Sequence, residues 1–213
     1  MKQMNLDFFR NRKKFLLIII FLIYSTISGQ IVVPKDFMKI PDSLFYKEQL
    51  YKNIIPNKQY NYWKVVRKTS SEDQIVFESK KNYSSQPEIN NNISDGFFVE
   101  CLPDGCFSYL EVYCNNTPRY INTEVGLKEF MGYIDNLSEA LLIAKTYGFW
   151  FDRKDELGGS YKIESDFIHL YLAKFKTCPV SSEAYYIKIN RKTGELEQEN
   201  KGIYYKKDDC YTS

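Results

Sequence analysis

Phe167-Ile168-His169-Leu170-Tyr171-Leu172-Ala173 is apolar or aromatic at both alternating positions, with His169 the single exception. A strand with one face in water alternates polar and apolar side chains, so this run predicts a central strand covered on both sides. After it, Ala184 to Asn190 and Glu195 to Tyr205 flank Asn190-Arg191-Lys192-Thr193-Gly194-Glu195, a polar turn with glycine near its end. That composition suits a type I turn closed by a bulge at glycine. With Tyr161 to Glu164 ahead of it, the segment reads as an antiparallel meander. Its cover is found upstream, where Thr123 is a suitable N-cap and Leu127, Phe130, Met131 and Ile134 recur at i, i+3, i+4, i+7. Asn136 opens a second helix, with Glu139 three residues on, one apolar face from Leu137, Ala140, Leu141, Ala144 and Tyr147, and Gly148 as its stop. The expectation is an α+β fold, an antiparallel sheet with two consecutive helices packed on one face.

Further out, the chain divides into residues 1–30, a wrapping segment with a hairpin over 31–95, and a main body over 96–213. In the wrapping segment, Leu44 to Asn53 can form a short helix that Pro56 stops, and Tyr62 to Lys68 with Gln74 to Ser79 read as a hairpin. Asn82 to Asp95 is polar and reads as a loop. Phe97 to Cys101, Cys106 to Tyr113 and Arg119 to Asn122 are rich in aromatic and β-branched residues and read as strands.

Residues 1–30 have the three-part layout of an export signal. Lys2, Arg10, Arg12, Lys13 and Lys14 form a basic region, Phe15 to Tyr24 an uncharged apolar core, and Ser25 to Gln30 a small, polar exit. The core is half the length that a spanning helix needs, so cleavage is expected and an N-terminal anchor is the alternative. The product would be periplasmic, secreted, or anchored facing outward. The whole chain carries +2. Its first thirty residues hold five basic residues and Asp7, hence +4, which leaves −2 on residues 31–213. A near-neutral body whose only basic run lies in the leader argues against nucleic acid as a partner.

All five cysteines lie past the leader, where thiols can oxidise. If Asn190 faces Glu195, position 178 faces about position 207, and a small bulge or Pro179 brings Cys178 to Cys210. A Cys178–Cys210 bond is therefore predicted. Leu102-Pro103-Asp104-Gly105 turns the chain so that Cys101 faces Cys106, and a second bond is expected there. Cys114 is left over, either buried and inert or in competition for Cys101 or Cys106.

Ser138, Glu139, Ala140, Leu141 and Ala144 on a helix, followed by Ala184-Tyr185-Tyr186-Ile187-Lys188-Ile189-Asn190-Arg191-Lys192-Thr193-Gly194-Glu195-Leu196, resemble the helix and TGE hairpin of PepSY-type modules. These are small secreted domains thought to restrain peptidases, so the resemblance implies an inhibitor role. It covers about a third of the chain and is interrupted by Cys178 and Pro179. The chain as a whole resembles exported proteins of Bacteroidota type, with its leader ending in Ser28-Gly29-Gln30 and its heavy use of Asn, Lys, Ile and Tyr. That likeness implies export and carries no activity.

Catalytic constellations are not recognisable. His169 is the only histidine, the cysteine spacing is not the C-x2-C of zinc sites, and no G-x-S-x-G, P-loop or G-x-G-x-x-G occurs. Neither cofactor nor metal is expected, and His169 on a strand is expected to be satisfied by a backbone group or a Tyr hydroxyl. Aromatic residues make up 16% of the chain. Tyr147, Phe149, Trp150 and Phe151 cluster at the end of the second helix, beside an acidic turn with Asp152, Asp155 and Glu156. Core packing is the ordinary use of such residues. The sharper reading makes Trp150, Tyr147, Phe149, Asp152 and Asp155 a binding surface for an extracellular or periplasmic glycan or protein. Three classes stay open: a non-catalytic binding or inhibitor module, a structural envelope protein, and a hydrolase working through acidic residues.

Overall fold

The alternating and doubly apolar runs become strands, and they assemble into two sheets where one was expected. The computed structural model describes residues 31–79, 93–101, 105–114 and 117–211. The leader, most of the Asn82 to Asp95 loop, and the Leu102 to Asp104 turn lie outside the described residues. Residues 33–213 form one compact unit.

Sheet A has the order β1-β7-β8-β9-β10 and is antiparallel throughout. Its strands are β1 (Met38–Lys39), β7 (Gly159–Ile163), β8 (Phe167–Thr177), β9 (Val180–Asn190) and β10 (Leu196–Lys207). Sheet B is formed by β2 (Tyr62–Lys68), β3 (Asp73–Glu78), β4 (Phe97–Glu100), β5 (Cys106–Cys114) and β6 (Thr117–Ile121). Its path is β3-β2-β5-β4, and β6 joins the same edge of β5 beyond β4, pairing with Leu110 to Cys114. Because β2 pairs with β5 along Tyr62 to Lys68, a division at residue 95 would run between strands of one sheet. The helices are α1 (Lys47–Lys52), α2 (Glu124–Met131) and α3 (Leu137–Thr146).

One buried cluster draws on every layer. It takes Ile168, Leu170 and Leu172 from β8, Ile187 and Ile189 from β9, Trp63, Val65, Leu110 and Val112 from sheet B, and Leu127, Phe130, Leu141 and Ala144 from the helices. The central strand β8 is thus buried as its doubly apolar pattern requires.

Capping sets the helix starts. Thr123 Oγ1 accepts from the Gly126 N–H at 3.0 Å, and Asn136 Oδ1 accepts from the Glu139 N–H at 3.1 Å. Glu139 turns back toward the cap residue, whose N–H also bears on its carboxyl. Its fully buried carboxylate accepts from the Asp135 N–H at 2.6 Å and from the Ile55 N–H at 2.7 Å, tying α3 to the segment after α1. Asn136 Nδ2 donates to Asn53 O, and Asn53 Nδ2 donates to Ser138 Oγ, which closes the same joint. Burial pushes the Glu139 carboxyl up to about 7, against the lowering effect of its backbone donors.

The β9–β10 turn places Asn190 opposite Glu195, with the Asn190 N–H donating to Glu195 O. Two bulges in β10, between Asn200 and Gly202 and between Ile203 and Tyr205, then shift the register by two residues, so that Lys207 faces Val180. This shift carries Cys210 to Cys178, and a disulfide joins them with Cα atoms 4.4 Å apart. A second disulfide joins Cys101 and Cys106, Cα atoms 5.3 Å apart, while Cys114 is free at the end of β5. Two disulfides fit an oxidising compartment. No helix among the described residues is long and apolar enough to cross a membrane.

Arg191, read in the sequence only as part of a turn, is a clamp. Its guanidinium donates to Ile134 O and Asp135 O, each at 3.0 Å, and to Glu164 O at 3.2 Å, and it lies 4.9 Å from the Tyr133 ring centre. The β9–β10 turn is thereby fastened both to the α2–α3 joint and to the β7–β8 turn.

Candidate functional site

Period-two geometry sorts β8 into two faces. Ile168, Leu170 and Leu172 belong to the buried cluster, and His169, Tyr171, Ala173 and Phe175 form the opposite face. Across the ladder these four meet Lys188, Tyr186, Ala184 and Ser182 of β9, and Ser182 in turn faces Tyr205 of β10. Ala173 and Ala184, both fully buried, lie in register with Gly202, between the Tyr171–Tyr186 pair and the exposed Phe175 and Tyr205.

Trp150 joins Phe175 and Tyr205. Beyond Gly148, whose φ of +77° suits glycine where α3 has ended, the chain straightens. Phe149 and Phe151 turn into the core, and Trp150 between them stays half-buried. A two-way backbone bridge fixes it: Trp150 N–H donates to Ala173 O at 3.1 Å and Ala173 N–H to Trp150 O at 2.9 Å. The indole stands edge-on to Phe175, with ring centres 6.5 Å apart. Among the described residues no acceptor reaches its buried Nε1.

A groove of about 530 Å³ opens beside Trp150, lined also by Phe45, Arg153, Lys154, Asp155, Phe175, Tyr204, Tyr205 and Tyr211. Phe45, Phe175, Tyr205 and Tyr211 are exposed there. Tyr211 reaches the groove because the Cys178–Cys210 bond and the Tyr211 N–H to Thr177 O hydrogen bond hold the C-terminal segment against β8. Its ring centre lies 5.8 Å from that of Phe175.

The acidic turn frames the groove through its backbone. Asp152 Oδ1 accepts from the Lys154 N–H, Asp155 Oδ1 accepts from the Leu157 N–H, and the Tyr204 hydroxyl donates to Asp152 Oδ2 at 3.1 Å. Burial first, and the Asp152 charge second, push the Tyr204 phenol up, so it stays a donor at any ordinary pH. Gly159 is required here, since a Cβ would stand 2.1 Å from Asp152 O. The turn therefore acts as a wall whose carboxylates are partly committed to holding its own shape.

Of the residues singled out in the sequence, Trp150, Asp152 and Asp155 meet in the groove. Phe149 lies behind it in the core, edge-on to Tyr185 at 5.2 Å. Tyr147 points elsewhere, with Lys128 Nζ 5.5 Å from its ring centre. Sequence reasoning missed Phe45, Phe175, Tyr204, Tyr205 and Tyr211. The hairpin register combined with the Cys178–Cys210 pairing was the one signal that could have placed Phe175, Tyr205 and Tyr211 together.

His169 is 9% exposed, and its Nδ1 lies 2.7 Å from the Tyr186 hydroxyl, a partner of the expected kind. Glu164 Oε2 lies 3.3 Å from Nε2, and the Glu164 carboxyl is held below its usual range first by Lys162 and then by His169. Cys114 stands at the end of β5 in sheet B, while His169 is on β8 of sheet A. Among the described residues no group of three or more His, Cys, Asp or Glu side chains is placed to hold a metal ion. No family model matches the chain, and no curated protein or solved structure is significantly similar to it.

Proposed function

We propose that the chain is an exported, non-catalytic binding module that takes a saccharide in the groove at Trp150. The observation that carries this reading is the exposed set of rings, Phe45, Phe175, Tyr205 and Tyr211, gathered around half-buried Trp150 with Arg153, Lys154 and Asp155 at the margin. A sugar ring has an apolar face that stacks on aromatic rings and a rim of hydroxyls that needs charged and amide groups, and such a groove offers both. Asp152 and Asp155 support the non-catalytic reading, because each has an oxygen occupied by a loop amide. In this reading the ligand lies against the end of sheet A where Phe175 and Tyr205 are exposed. Export by the leader and oxidation in the destination compartment complete the picture, and the two disulfides accord with it.

Trp150→Ala tests the reading. Retention of the protein on immobilised polysaccharides should fall at least tenfold, with a loss of only a few degrees in Tm, because the indole is half-buried and the backbone bridge to Ala173 does not need it. Unchanged retention, or a large drop in Tm from this one change, would mark Trp150 as core and remove the proposal.

A further inference from the structure

The groove at Trp150 carries charge as well as rings, and its charged residues are not equivalent. Asp152-Arg153-Lys154-Asp155 follow one another in the turn after Phe151, and all four line the groove. The two acids are committed to the protein. Asp152 has both oxygens taken, Oδ1 by the Lys154 N–H at 2.8 Å and Oδ2 by the Tyr204 hydroxyl at 3.1 Å, and Asp155 Oδ1 is taken by the Leu157 N–H at 2.9 Å. Both are half-buried, whereas Arg153 and Lys154 between them are exposed. The Arg153 guanidinium lies over the Phe45 ring, 4.2 Å from its centre. Stacking on a ring uses the flat face of a guanidinium and leaves its N–H edge for an acceptor. Among the described residues no carboxylate pairs with Arg153 or Lys154, and neither side chain donates a hydrogen bond.

That difference bears on which saccharide fits. A neutral sugar leaves the guanidinium edge facing water. A uronate meets it with a planar carboxylate, in the paired N–H···O geometry that the two groups share. We propose that the groove takes an acidic saccharide, a chain that contains uronate, with the apolar face of a sugar ring on the aromatic wall and a carboxylate on Arg153. Lys154 offsets part of the repulsion from the two neighbouring acids, and Phe45 holds the guanidinium in place, so little side-chain freedom is lost on binding. The inference rests on the saccharide reading and deepens it by naming the class of sugar.

The test is retention of the full chain on immobilised polygalacturonate, polyglucuronate and alginate, each compared with its own methyl ester. The ester keeps the rings and hydroxyls and removes the charge. At least one acid should be retained about tenfold more strongly than its ester in about 0.15 M salt. Arg153→Gln should bring that acid down to the level of the ester, and Arg153→Lys should recover only part of the difference, because an ammonium cannot make the paired bonds. Lys192→Gln changes another exposed cation, in the β9–β10 turn at the end of β9 away from Ser182 of the groove, and should leave the preference intact. Equal retention of acid and ester, or retention of neutral polysaccharides alone, would overturn the acidic class and leave the saccharide reading standing. So would a preference that survives Arg153→Gln, or one that Lys192→Gln lowers as much. Retention on neither acidic nor neutral polysaccharides would remove both.

Discussion

Glu139→Gln is a change of one atom type at a joint where that atom matters. In the native protein both carboxylate oxygens accept, one from Ile55 N–H at 2.7 Å and the other from Asp135 N–H at 2.6 Å, and the residue has no solvent exposure. A glutamine keeps one acceptor and puts an NH2 against the second N–H. Even as the protonated acid, Glu139 keeps a lone pair on each oxygen to accept from the two N–H groups, which an NH2 does not, so a hydrogen bond is lost and a buried donor left unsatisfied, at a cost of about 2–4 kcal/mol. For a body of this size that corresponds to a Tm lower by roughly 5–15 °C, measured by scanning calorimetry. The pH dependence has a fixed sign. A carboxyl pushed up to about 7 in the fold, from an ordinary 4.5, holds its proton where the unfolded chain has released it. Its contribution is complete below pH 4.5 and is lost as pH rises through 7. Glutamine has no such slope, so the gap between native and variant should narrow between pH 5 and pH 8. A gap under 1 kcal/mol at pH 5, or one that widens with pH, would refute the account of this joint.

The two disulfides should differ in worth. Replacing Cys178 and Cys210 by serine releases a separation of 32 residues and should cost about 3.5 kcal/mol, against about 2 for Cys101 and Cys106 with a separation of 5; urea unfolding of the two double variants compares them. Arg191→Lys should cost about 2–3 kcal/mol although the charge is kept, because one ammonium cannot meet carbonyls on two separate loops as the planar guanidinium does; hydrogen exchange should quicken at residues 134–135 and 164–166 first. Thr123→Ala removes the cap to Gly126 N–H and should cost about 1 kcal/mol, read from thermal denaturation.

Local elements were legible because their causes are local. The aromatic and β-branched run Tyr62 to Lys68 is β2 to the residue, and Thr123 and Asn136 cap the two helices through their own side chains. What the sequence withheld is which strand lies beside which. Periodicity reports the faces of β2 and β5, but it says nothing of their pairing across some forty residues, which is what divides the strands into two sheets. The groove was legible in its centre, Trp150 and the acidic turn, and hidden at its margins. Phe45 comes from a turn before α1 and Tyr211 from beyond the last strand, and only the folded chain brings them together. Arg191 was hidden for the same reason, since its carbonyl partners belong to loops more than twenty residues away.

Strand β10 closes sheet A and shows solvent a twelve-residue edge, which on a flat strand would be a template for another copy of the chain. The two extra residues that carry Cys210 to its partner also break that template. An incoming strand would find a straight ladder only from Leu196 to Asn200, with Glu197 and Glu199 within it, before the backbone swerves at Gly202 and again before Tyr205. Intermolecular stacking is thus discouraged by the same irregularity that makes the covalent crosslink reachable. Straightening β10 would cost the molecule its brace and lay open a continuous edge together.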